Sequence, residues 1–169
     1  MRTARRRLIA ATACLLLIVL LTLTTLSLVR WKAAAHPKPI VPPAGATPWS
    51  PSGPITDYER DVGNRAAIIA TWLRTDRGDA TVRVYTLPPD SPWLQSRKLV
   101  ATQLDHWEQV GDCTDRPESR ILECAWQEPT RWWPRKVQLT MLRPPPPGRP
   151  NPSNWPDITT LIIGSAPSE

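Results

Sequence analysis

The chain has 169 residues, with 21 lysines and arginines against 15 acids and a formal charge of +6. That excess lies at the N-terminal end: residues 57–169 carry 14 basic and 15 acidic side chains, a net of −1. A nucleic-acid binder needs its basic face on the folded part, so no nucleic acid is expected as a partner. About 113 residues beyond position 56 suffice for one domain with one core.

Residues 1–7, MRTARRR, form a basic tail, and residues 8–29 that follow contain no charge. At about 1.5 Å per residue this apolar run reaches about 33 Å as a helix, enough for a hydrocarbon core of about 30 Å. A lone apolar segment in lipid has to satisfy its own backbone, which selects the helix. Arg2, Arg5, Arg6 and Arg7 precede the run, whereas Arg30 and Lys32 follow it. The bias predicts a cytoplasmic N-terminus, a single pass through the cell membrane and an extracytoplasmic C-terminal domain. Trp31 suits the boundary, with its ring buried and its N–H wet. Ala33–Ala35 offers an A-x-A cleavage site, but the run is too long for a signal peptide and Arg30–Trp31–Lys32 intervenes. Cys14 follows Ala-Thr-Ala as a lipoprotein cysteine would, yet apolar residues continue past it. A retained anchor is therefore expected.

Residues 30–55 read as a linker with seven prolines between positions 33 and 54. Proline fixes φ and removes donors, which predicts an extended polyproline-like spacer. Fully stretched, it would lift a domain by up to about 70 Å.

The domain is expected over 56–164. Thr56 with Glu59 forms a capping box, and Val62, Ala66, Ile69 and Leu73 give a helical stripe to about Thr75. The Arg77–Gly78–Asp79 triplet reads as a helix stop and turn. Residues 80–87 alternate as a strand. Ser91 before Pro92 predicts an N-cap for a second helix to about His106, with Trp93, Val100, Leu104 and Trp107 on one stripe. Cys113 and Cys124 are the only cysteines outside the apolar run. On an exported domain they are expected to form a disulfide stapling a hairpin. Gly111 and the cysteine after it favour a strand start there; strands follow over 119–127 and 135–143, then a proline-rich connector to Pro156. A last strand begins at Asp157, its apolar end suggesting burial on both faces; residues 165–169 read as a tail. The expected class is α+β: two helices packed on a mainly antiparallel sheet of about five strands.

The search for chemistry gives little. His106 is the only histidine of the domain and lacks a nucleophile context. No glycine-rich phosphate loop, HExxH or CxxC occurs. Asp112, Asp115, Glu118 and Glu123 surround the hairpin turn without matching a calcium loop, so no metal, cofactor or enzymatic activity is expected. With nine Trp and no Phe, tryptophan has to serve as the large core aromatic. The stretch Arg131–Trp132–Trp133–Pro134–Arg135, together with Trp155, is nevertheless the candidate binding site. Adjacent residues on an extended chain point to opposite faces, and an exposed Trp beside Arg suits peptide, glycan or headgroup contact.

In layout this resembles anchored accessory subunits of bacterial envelope machines, including NTF2-like subunits of secretion and conjugation systems. The layout implies a non-catalytic interaction or accessory subunit bound to an envelope protein. The alternative is a binding module for envelope glycan or a small ligand.

Overall fold

The computed structural model describes residues 2–51, 56–88, 91–116, 119–144 and 158–169. In chain order the elements are α1 (Arg2–Ala34), β1 (Thr47–Pro48), α2 (Asp57–Leu73), β2 (Thr81–Leu87) and α3 (Trp93–Thr102), then β3 (Glu108–Val110), β4 (Ile121–Gln127), β5 (Lys136–Leu142) and β6 (Thr159–Ala166). The sheet runs β1-β2-β6-β5-β4-β3 and every pairing is antiparallel. The class is α+β, with six strands where five were expected. The sixth, β1, comes from the proline-rich segment.

The period-2 pattern of the central strands sorts side chains onto two faces. Val137, Leu139, Met141, Leu161 and Ile163 face α3, whose Trp93 and Val100 join them with Leu122, Cys124 and Trp126. On the other face, Leu142, Ile162 and Ala166 meet Tyr58, Val62, Ile69 and Leu73 of α2. Each such aliphatic chain stabilises the fold by roughly 1.5–3 kcal/mol on burial. The capping box is present: Thr56 Oγ1 accepts from the Glu59 N–H at 3.2 Å, and Glu59 Oε2 accepts from the Thr56 N–H at 2.7 Å. Trp93 and Trp126 are buried and Trp107 half-buried, so tryptophan does fill the core in place of phenylalanine.

Four expectations are corrected. The helix α3 starts after Pro92 and ends at Thr102; the Ser91 hydroxyl bonds back to the Pro88 carbonyl instead of capping. Leu104 and Trp107 still pack against the core, carried by the turn after the helix, where His106 has φ 62°.

The segment read as a spacer is tied down between Ile40 and Trp49. Ile40 is buried in the α3-side core, and Val41 exchanges two hydrogen bonds with the Gln103 amide at 2.8 and 3.0 Å. Thr47 and Pro48 then pair with Thr86 and Tyr85. Proline composition dictates an extended backbone but does not say against what it lies. An edge strand tolerates Pro48 because its missing donor faces no partner.

The residues read as a tail continue the sheet: β6 runs to Ala166 and every one of its residues is buried. The connector at 145–157, Trp155 included, lies outside the described residues.

Gly164 lies within that strand, and its packing explains why a glycine stands there. A Cβ there would stand 2.6 Å from Leu73 Cδ1 and 2.8 Å from Ile69 Cγ2. Glycine lets α2 seat directly on β6. We expect Gly164→Val to cost about 1–3 kcal/mol by overpacking, read as a lowered denaturation midpoint. An unchanged midpoint would mean that the α2–β6 contact yields freely.

Candidate functional site

The C-terminal end of α1 is built into the domain. A helix leaves its last four carbonyls without intrahelical partners, and all four are satisfied here. Arg77 donates to the Trp31 carbonyl at 2.9 Å, and the Ser168 N–H to that of Ala34 at 2.9 Å. The Ala35 and His36 N–H groups reach Lys32 and Ala33 at 3.2 and 3.3 Å. Arg77 also lies over the Trp31 ring at 5.0 Å and donates to the Ser168 hydroxyl at 2.8 Å. The RGD triplet is therefore a turn, closed by the Thr75–Gly78 bridge, whose arginine grips α1.

One turn earlier stands a second attachment. Glu128, 7% exposed, follows β4 and accepts hydrogen bonds from two arginines. Arg30 of α1 bonds both carboxylate oxygens, at 3.1 Å to Oε1 and more closely to Oε2. Arg135 donates its Nη2 to Oε1 at 2.6 Å and its backbone N–H to Oε2 at 3.1 Å. Burial pushes the Glu128 carboxyl up, but the hydrogen bonds from Arg135 and Arg30 outweigh it and hold the group down at about 2. Arg135 is stacked 5.7 Å from the Trp107 ring.

Between Glu128 and Arg135 the chain makes the loop of the tryptophan pair. Thr130 Oγ1 accepts from the Trp132 N–H at 3.1 Å, and Trp133 takes φ 56°, in the left-handed region that L residues seldom adopt. The turn separates the rings. Trp132 is 69% exposed. Trp133 is half-buried and lines an apolar groove with Leu20, Leu23, Ser27, Leu28 and Trp31 of α1. Its carbonyl lies 3.5 Å from the Arg30 guanidinium, and the two ring centroids are 6.0 Å apart.

The structure thus brings Trp132, Trp133, Arg131 and Arg135 into one loop but divides their surroundings. Arg131 and Trp132 face outward, while Arg135 is spent on Glu128. Sequence reading missed Glu128, Arg30 and Arg77 as a set. Arg30 and Glu128 stand 98 positions apart, and no periodicity joins them; an acid at a strand end before Pro129 was the only local signal.

The disulfide Cys113–Cys124 is present, with Cα atoms 4.8 Å apart, at the loop end of the β3–β4 hairpin. Three of the acids around it are engaged by arginines: Asp112 with Arg116, Asp115 with Arg143, and Glu123 with Arg65; Glu118 lies outside the described residues. Among the described residues no group of His, Cys, Asp or Glu is arranged to hold a metal. No family model, curated protein or solved structure matches this chain.

Proposed function

We propose that the chain is a single-pass, membrane-anchored extracytoplasmic domain acting as a non-catalytic interaction subunit of a cell-envelope assembly. The helix over Ala10–Ala34 is long and apolar enough to cross a bilayer. The four arginines before it favour a cytoplasmic N-terminus, and a disulfide fits the oxidising side.

The observation that carries the interaction reading is the outer surface of α2. Trp72 is 82% exposed and Ile68 48%. They flank a groove whose other wall is Glu123 and Gln138 of the uncovered β4–β5 half-sheet, bridged by Arg65 to Glu123 at 3.4 Å. An aromatic anchor beside an arginine, rimmed by polar groups, is the composition of a protein-binding hot spot. A glycan or small-ligand module would instead bury most of its ligand in a deep pocket. Trp72, 82% exposed, stands at the rim of its groove and is not enclosed by it.

The test is a photo-crosslinking residue at position 72, in intact cells, with Leu94 of α3, also exposed, as control. We expect one discrete adduct from 72 and none from 94. Equal smears from both would remove the partner surface. In the same cells Leu94→Cys should react with a membrane-impermeant maleimide before lysis; reaction only after lysis would reverse the orientation.

A further inference from the structure

We propose that the β4–β5 loop is a second membrane contact, with Trp132 and Trp133 seated in the headgroup–acyl boundary of the leaflet beside α1. The proposal rests on the anchored reading above and adds a site to it. Its basis is height. If the uncharged run over 8–29 fills the hydrocarbon, Arg30 and Trp31 mark the boundary. The Trp133 carbonyl lies at the Arg30 guanidinium, 3.5 Å away, and its ring lines the groove that descends past Trp31 and Leu28 to Leu20. At about 1.5 Å per residue that groove runs about 15 Å below Arg30, into the apolar layer. The Glu128 pairs and the left-handed turn at Trp133 hold the loop there.

The chemistry of the loop suits that depth. Trp132 projects 69% exposed beyond Trp133. An indole with an apolar ring and a wet N–H is the side chain that bilayer boundaries collect. Arg131, also exposed, carries a long stem that keeps its charge among headgroup phosphates. Trp72 is an exposed indole too, but it stands on α2 and lines no part of the α1 groove. A lipid surface, not a soluble ligand, is the partner that the position beside the span selects.

The experiment uses the full chain in phosphatidylethanolamine–phosphatidylglycerol vesicles, with Cys14→Ala to clear the span. Single nitroxide labels at Trp132→Cys, Trp72→Cys and Leu26→Cys are read for access to oxygen and to a water-soluble nickel chelate. We expect the label at 132 to lose nickel access and gain oxygen access relative to 72, approaching the label at 26. Nickel access at 132 equal to that at 72 overturns the loop contact while leaving the anchor standing. Shielding of 132 from both reagents overturns it too, because the cover is then protein. A label at 26 open to nickel brings down the anchor, and the loop contact with it. Arg131→Cys repeats the measurement one residue away should Trp132→Cys not fold.

Discussion

Glu128→Gln in the full chain should cost about 3–5 kcal/mol of stability, the scale for breaking a buried pair on one side. The substitution leaves Arg30 and Arg135 facing each other across a site that is 7% exposed on the glutamate. Arg135, at 15% exposure, carries the larger share; Arg30, at 32%, is the more screened by solvent. The same group sets an acid limit. Its carboxyl stands at about 2 in the fold against an ordinary 4.5. A depressed value stabilises the fold above the ordinary one, and that contribution is lost as pH falls from about 4.5 through about 2. By linkage it amounts to roughly 3 kcal/mol. Denaturation midpoints of wild type and Glu128→Gln in detergent, followed down through that window, check both statements. The wild type should lose stability towards the variant's level as the acid is added. Parallel curves would show that Glu128 titrates as a free acid and that the attachment to α1 is weak.

Removing both cysteines, Cys113→Ala with Cys124→Ala, should lower stability by about 2–3 kcal/mol on the loop-entropy estimate for a short closed loop. The bridge closes a separation of 11 residues and both half-cystines are 3% exposed. Cys124 stands opposite Leu139 in register, so the pair also packs within the α3-side core. A non-reduced digest of exported protein should yield one linked peptide, and reduction without denaturant should be slow. Two free thiols in native exported protein would remove the staple from the account, as would a double variant with an unchanged midpoint.

What the sequence makes legible here is local. The capping box at Thr56 and Glu59 places the start of α2 to the residue, because both partners lie within one turn. The alternation of Val137, Leu139 and Met141 locates β5, because period 2 survives wherever one face is dry. Residues whose role depends on a distant partner are misread. Gly164 looks like a strand end until α2 is seen lying on it. Pro48 looks like spacer until β2 is beside it. The candidate loop was visible through its paired tryptophans, but the division of labour within it was not. Arg135 carries the same letter as Arg131, and only Glu128 makes one structural and leaves the other at the surface.

The pairing of residues 40–48 with the domain has a mechanical consequence. A free polyproline tether would let the domain swivel and sample a hemisphere tens of ångströms wide. Here the chain that could have supplied that reach is folded flat against β2 and Gln103, and α1 ends inside the same body. Turning the span about its own axis therefore turns every face of the domain by the same angle. Two copies that met through their spans would present a fixed pair of bearings to each other. As the anchor proposed above, α1 would act as an axle, and whatever grips it within the bilayer would steer what the domain can touch outside.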